Sequence, residues 1–305
     1  MGRVHLGALR DSDQIELAGV VEPVDRTRAE LAVDGVATYA TVDDLLERDP
    51  PEGVLIAAPS DQHSRLVARF AAAGTPMLCE KPLGIRAEQS REATGSAAEA
   101  GVLLQVGYWR RFVPELRELR ERIRAGALGE ISQLSCMQWD EHPPSEQFRA
   151  HSGGIAVDMG VHEFDQTRWL LGQEFEWIAA AHAGPSSEPR DPADPDSATL
   201  LAQLSGGASA TISLGRRFPH ADSCWLEVWG TDGYERLTFM WDTAGDDVFR
   251  QSMRRQVEAF ARAVRGGERE GADGADAFAA LSAAELAAAS LAGASQVQAQ
   301  VAVQG

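Results

Sequence analysis

The first third of the chain alternates short apolar runs with longer polar-faced stretches, and this restricts the fold more than any other feature. Ile15–Glu22 (IELAGVVE) is rich in β-formers, and Thr41–Asp49 (TVDDLLERD) reads as a helix opened by a threonine cap. Val54–Ala58 (VLIAA) is continuously apolar, as a strand covered on both faces would be. Ser64–Ala73 reads as a helix stopped at Gly74, and Met77–Cys79 as a short strand running into Glu80-Lys81-Pro82. A helix over Ala87–Ala100 and a strand over Val102–Val106 follow. Such alternation predicts an α/β domain, a Rossmann-type doubly wound parallel sheet.

Beyond Tyr108 the pattern changes. Glu115–Ala125 reads as a charged amphipathic helix, Ile131–Asp140 as a strand and Gly154–Leu171 as one helix. Strand-like runs then follow one another: Phe175–Ala181, Ala198–Leu204, Ala208–Leu214, Trp225–Trp229 and Glu235–Met240. Strands in succession predict an α+β domain with a large, mostly antiparallel open sheet. Gly184–Ser197, rich in Pro, Asp and Ser, reads as a surface loop. Alanine-rich helices are expected near Gln256–Arg265 and Ala275–Ala292, the second stopping at Gly293. The expected division is residues 1–108 for the nucleotide and 109–305 for the substrate.

Composition narrows the partners. A formal charge of −18 argues against nucleic acid and anionic membranes, which reward basic patches. No apolar run approaches the roughly 20 residues that span a bilayer, and the first ten residues read as an amphipathic helix rather than a signal peptide. Cys79, Cys136 and Cys224, odd in number and widely spaced, fit reduced thiols in a cytoplasmic protein better than a disulfide framework. Of 28 basic residues, one is a lysine, Lys81. Either a lone lysine survives by chance in an arginine-biased chain, or the position needs a compact ammonium that guanidinium cannot replace.

The nucleotide half shows only the end of a dinucleotide fingerprint. Gly2 opens a helix-like segment, Arg3–Leu9, and Glu22 closes the next strand 20 residues on. That spacing suits Gly2 as the last glycine of a Gly-x-Gly-x-x-Gly turn and Glu22 as the ribose ligand, which favours NAD over NADP. Glu22 also reads as an ordinary strand-end carboxylate, and Arg26 could accommodate a 2′-phosphate. The apolar strand and glycines that normally precede Gly2 are absent, so Met1 is expected to be an internal methionine of a longer chain. Ala58 and Pro59 close a strand and His63 begins the next helix, at the edge where such sheets bind ligands. His63 as a solvent-facing first-turn residue is the other reading.

Two blocks carry chemistry. Glu80 and Lys81 stand at a strand's carboxyl end, where an ammonium can stabilise a developing alkoxide. In Gly153-Gly154-Ile155-Ala156-Val157-Asp158-Met159-Gly160-Val161-His162-Glu163-Phe164-Asp165, the spacing puts Asp158 and His162 on one helix face, with Asp165 at its border. Histidine suits removal of a hydroxyl proton near neutral pH, with the carboxylates orienting the ring. A surface His–Asp pair is the bland alternative. A zinc site is another, but no His/Cys cluster at ligand spacing supports a metal.

Taken in order, Glu80-Lys81-Pro82, Gly107-Tyr108-Trp109-Arg110-Arg111-Phe112, Gly153-Gly154-x3-Asp158-x3-His162-x2-Asp165 and Glu227-Val228-Trp229-Gly230-Thr231 resemble the glucose–fructose oxidoreductase/inositol dehydrogenase/rhizopine catabolism (Gfo/Idh/MocA) family. The resemblance implies a Rossmann domain lacking its first strand and glycine turn, then an α+β domain whose open sheet packs in a homodimer or homotetramer. It implies Lys81, Asp158 and His162 as catalytic residues, His162 being the proton acceptor. Cofactor-binding candidates are Gly2, Arg3, Glu22, Ala58, Pro59, His63, Glu80 and Lys81; substrate-binding candidates are Asp140, Asp165 and His220. Asp140–Gly154 and Arg216-Arg217 are similar to the inositol dehydrogenase branch. That branch carries Tyr-Gly-Tyr-Asp where this chain has His220-Ala221-Asp222-Ser223, which puts inositol itself in question. The expected activity is NAD-dependent oxidation of a ring hydroxyl of a polyol or sugar. The rivals are a nucleotide- or sugar-sensing regulator of the same fold and a redox-recycling enzyme that keeps its cofactor bound.

Overall fold

The computed structural model describes residues 1–10, 12–33, 35–182, 194–241 and 244–293. The chain opens with α1 (Gly2–Arg10), followed by β1 (Val20–Val21), α2 (Asp25–Val33), β2 (Thr38–Tyr39), α3 (Val42–Arg48) and β3 (Val54–Ile56). Next come α4 (His63–Ala72), β4 (Met77–Cys79), α5 (Ala87–Glu99) and β5 (Leu104–Val106). All ladders among these strands are parallel, in two sheets, β1-β2 and β3-β4-β5. Met77, Leu78 and Cys79 of central β4 are all buried, as a strand covered on both faces requires. Thr41 caps α3 as expected, its hydroxyl accepting the Asp44 amide at 3.1 Å. Of the expected strand Ile15–Glu22, only Val20–Val21 enters a ladder.

A buried 3-10 turn, Trp109–Phe112, carries the chain into the second domain. There follow α6 (Pro114–Arg124), β6 (Ile131–Trp139), α7 (Glu146–Ser152), α8 (Ile155–Asp158), α9 (Gly160–Leu171), β7 (Phe175–His182), β8 (Ser197–Leu204), β9 (Ser209–Gly215), β10 (Ser223–Gly230) and β11 (Tyr234–Met240). The six strands form one sheet in the order β11-β10-β6-β9-β8-β7, antiparallel except for β6–β9. Period-2 alternation sorts its faces. Leu134, Cys136, Leu200, Ile212, Leu214, Leu226 and Val228 are buried, whereas Trp177, Leu201 and Tyr234 face outward and are exposed. Most of the expected loop Gly184–Ser197 lies outside the described residues; Ser197 itself opens β8.

The chain ends on two long helices, α10 (Ala244–Val264) and α11 (Gly274–Leu291), which qualify the expected boundary at residue 108. α10 packs on α1, and α11 packs on α5 of the first domain as well as on α9 and β7 of the second. Glu285 of α11 accepts the Ala87 amide at the start of α5 (2.9 Å), and Val106 bridges Ala272. We propose the division at 108/109, with these helices shared by both domains.

Candidate active site

The run expected as one helix over Gly154–Leu171 is two. α8 stops at Asp158 and α9 starts at Gly160, where a Cβ would lie 3.0 Å from the Phe164 ring. The His162 amide donates to the Met159 carbonyl at 3.1 Å, a tightened turn. This break separates the roles of Asp158 and His162.

His162 is 7% exposed and lines a cavity of about 470 Å³ together with Trp109, Arg110, Gln138, Asp140 and Asp222. The Tyr108 and Trp109 rings stand edge-on to it at centroid distances of 6.1 and 6.3 Å. Its Nδ1 is buried without a hydrogen-bond partner. Burial first, then the charges of Lys81 and Arg110, hold its pKa well below the usual 6.5. The imidazole is therefore neutral at neutral pH, the form that accepts a proton.

Asp158 does not orient that ring. Its carboxylate lies between two cations, with Lys81 Nζ 3.9 Å from Oδ1 and Arg216 Nη2 3.3 Å from Oδ2. Lys81 also donates to the Asp158 backbone carbonyl at 2.8 Å. Behind Lys81, buried Glu80 accepts the Lys81 amide at 3.1 Å and His5 Nε2 of α1 lies 2.6 Å from its other oxygen. Burial pushes the Glu80 carboxyl up, but the His5 contact and the surrounding positive charge outweigh it, so it titrates below its usual range. Gly107 leaves it room: a Cβ there would sit 3.1 Å from the Glu80 carboxyl carbon.

Asp140, just after β6, reaches the cavity wall, and among the described residues it has no ion-pair partner. Gln138 Nε2 donates to its carboxylate at 3.4 Å. Burial, then the charge of Asp222, push its pKa up to about 6 from 3.8. Two expected substrate ligands are corrected. Asp165 is buried away from the cavity, both oxygens gripped by Arg111 at 2.6 and 3.0 Å, so it has no acceptor to offer a substrate. His220 is exposed and stacks on Trp241 at 6.2 Å. Ala221 takes a left-handed φ of 62°, which turns the chain so that Asp222, not His220, meets the cavity.

The cofactor candidates lie at the carboxyl ends of β1, β3 and β4, the edge where dinucleotides bind. Glu22 follows β1, and its carboxylate accepts the Val24 amide at 2.8 Å. Arg26 is almost fully exposed beside Glu30, and Arg3 pairs with Glu30 at 2.8 Å while lining the cavity. Gly2, at the α1 N-terminus, has open space around it. Ala58 and Pro59 follow β3. His63 is buried, not solvent-facing, with its ring nitrogens 2.7 Å from the Pro82 carbonyl and 2.9 Å from that of Ala58. It locks the ends of β3 and β4 together. Glu22, Ala58-Pro59 and Lys81 thus stand along this edge, whereas the expected cofactor ligand Glu80 turns inward, its two oxygens held by the Lys81 amide and His5.

Sequence reasoning missed Arg110, Gln138, Asp222 and His5. Arg110 and Asp222 were visible only as members of motifs; Gln138 and His5 carried no signal, because their partners are distant in sequence.

Comparison with known proteins places the fold and site in a family. Residues 1–108 match the oxidoreductase family with an NAD-binding Rossmann fold, and residues 116–235 match the GFO/IDH/MocA C-terminal domain. The chain belongs to the Gfo/Idh/MocA oxidoreductases. It is 48% identical over 285 residues to the rhizopine catabolism protein MocA of Rhizobium meliloti, covering 93% of this chain and 90% of that one. It is 29% identical over 303 residues to an inositol 2-dehydrogenase of Rhizobium meliloti (strain 1021), covering 93% and 92%. The solved structure of a putative myo-inositol dehydrogenase from Sinorhizobium meliloti 1021 superposes with a TM-score of 0.88 at 27% identity, covering 97% of this chain and 95% of that one.

Proposed function

We propose that this oxidoreductase uses NAD to oxidise a ring hydroxyl of a polyol or sugar related to inositol. The observation that carries the reading is His162: a buried, neutral imidazole with an unpartnered Nδ1, on the wall of a cavity that also presents Asp140. NAD, bound along the carboxyl edge of the first domain, supplies the hydride acceptor. His162 takes the hydroxyl proton. Lys81 holds the oxygen as negative charge develops on it, a cation preorganised by its contacts with Asp158. Asp140 and Asp222 accept hydrogen bonds from neighbouring ring hydroxyls, for which ionised carboxylates are suited. The names of the relatives, a rhizopine catabolism protein and inositol dehydrogenases, support a cyclic polyol. The test is a panel of inositols, aldoses and uronic acids with NAD or NADP, read as reduced-cofactor absorbance. Saturable turnover of a cyclic polyol with NAD is expected; turnover of none of them overturns the reading.

Asp140 gives the substrate step a pH signature. Its carboxyl is protonated below about pH 6 and ionised above, so the KM for the polyol should fall as pH rises through that value. Asp222→Asn removes the neighbouring negative charge, favours the carboxylate, and should move the inflection to lower pH. An inflection unmoved by Asp222→Asn excludes the pair from substrate binding.

Cofactor choice rests on Glu22, whose charge repels a 2′-phosphate. Glu22→Ser should narrow the preference for NAD over NADP by roughly tenfold, the scale of about 1.4 kcal/mol. An unchanged ratio of the two kcat/KM values would show that Glu22 does not read the ribose.

The outward face of the second-domain sheet, with Trp177, Leu201 and Tyr234 exposed, supports a homo-oligomer formed across it. Light scattering of the parent and of Leu201→Glu tests this; a monomeric parent refutes it.

A further inference from the structure

Asp158 is held from behind by a residue that takes no part in the cavity. Arg216 follows β9, and its side chain is fully buried. Its Nη2 lies 3.3 Å from Asp158 Oδ2 and its Nη1 2.7 Å from Asp194 Oδ1, so one planar guanidinium spans two carboxylates. Asp194 is fixed in turn by Arg149 of α7, whose Nε donates to its other oxygen at 2.8 Å and whose Nη2 donates to its backbone carbonyl. Arg149 also reaches Asp196 at 2.7 Å, and Arg217 reaches Asp196 at 3.0 Å. From the first domain to the surface the charges alternate in sign: Lys81, Asp158, Arg216, Asp194, Arg149, Asp196, Arg217.

Lys81 depends on this chain. It contacts Asp158 twice, through the carbonyl at 2.8 Å and the carboxylate at 3.9 Å, and these are contacts across the domain boundary. A free carboxylate rotates about its terminal torsion with little resistance. Arg216 removes that freedom, because its fork is rigid and its second arm is anchored on Asp194.

We infer that Arg216, braced by Asp194, is a positioning residue: it fixes the Asp158 carboxylate and thereby the ammonium of Lys81 against the substrate oxygen. This rests on the dehydrogenase reading above. Lysine cannot replace it, since a point charge cannot bridge two carboxylates in a fixed plane.

Lys81 is the one lysine of the chain, so lysine labelled with 13C at Cε gives a single side-chain NMR signal. In the protein saturated with NAD, Arg216→Gln and Asp194→Asn, neither of which adds a lysine, should displace or broaden that signal. They should lower kcat on the order of 10-fold, and Arg216→Met on the order of 100-fold, with the KM for NAD within about twofold of the parent. Arg217→Met, which removes only an exposed partner of Asp196, should change neither signal nor kcat. If Arg216→Met does not fold, Arg216→Gln and Asp194→Asn carry the test. A Lys81 signal identical to the parent's in those two variants overturns the inference, even if their melting temperatures fall. The signal is read without turnover, so a parent that oxidises no polyol refutes the dehydrogenase reading and leaves the positioning role to be judged by the spectrum.

Discussion

His162→Ala should lower kcat by roughly 10²-fold or more, the scale on which positioned proton acceptors contribute. Its melting temperature should stay close to the parent's, because the ring lines a cavity and its Nδ1 has no partner to lose. Lys81→Met should cost a comparable factor and add a second signature. The pKa of His162 is held down by burial and then by the charges of Lys81 and Arg110. Below that pKa the imidazole is protonated and cannot accept the hydroxyl proton, so kcat has an acid limb below pH 6.5. Taking away the Lys81 charge makes the imidazolium easier to form, which raises the pKa and moves the limb to higher pH. Stopped-flow turnover across pH 4–8 (chosen on the order of two units either side of an ordinary histidine pKa) checks both. Activity of either variant within a few-fold of the parent removes that residue from the chemistry; a limb unmoved in Lys81→Met shows that the lysine charge does not act on His162.

The largest expected loss of stability comes from the pair that supports the cavity floor. Arg110 and Glu163 are buried 2.5 Å apart, and Arg110 also reaches Gln138 at 2.9 Å and the Cys224 thiol at 3.2 Å. Glu163→Ala leaves the buried guanidinium without its carboxylate, which should cost about 3–5 kcal/mol. At about 2–4 °C per kcal/mol for a chain of this size class, the melting temperature should fall by about 10 °C. Arg110→Met combined with Glu163→Leu removes both charges while keeping the volume filled, and should recover most of that loss. Calorimetric scans of the parent, Arg110→Met, Glu163→Leu and the double variant give the cycle. A double variant as unstable as the two single losses added together would mean that the two charges do not act on each other, contrary to this account.

The elements most legible in the sequence were those fixed by local chemistry. Met77–Cys79 was marked by an unbroken apolar run, α3 by Thr41, and the end of α11 by Gly293. The long α10 was read only from Gln256, because its first turns carry Asp246, Asp247 and Arg250, and the apolar partners they face come from α1 and the 109–112 turn. α2 was missed for a related reason: its apolar residues do not gather on one face. In the site, Lys81, Asp158 and His162 could be named from their motifs, but their contacts could not. Helical spacing suggested an Asp158–His162 partnership and a substrate-facing Asp165; the turn at Met159 and the forks of Arg216 and Arg111 redirect both carboxylates. Those arginines lie 58 and 54 residues away from the carboxylates they hold, and no local pattern reports them.

The return of the last two helices onto the first domain has a consequence for how the protein is made. Val106, paired with Cys79 on one side, bridges Ala272 on the other, the Ala87 amide at the start of α5 donates to Glu285, and the Ser12 hydroxyl donates to Glu258. At synthesis rates of about 5–20 residues per second, the stretch from Val106 to Ala272 takes roughly ten to thirty seconds to emerge. Through that interval the nucleotide-binding half is on the ribosome with the surfaces meant for α10 and α11 uncovered. The surface of the early half is therefore completed only when the final helices arrive.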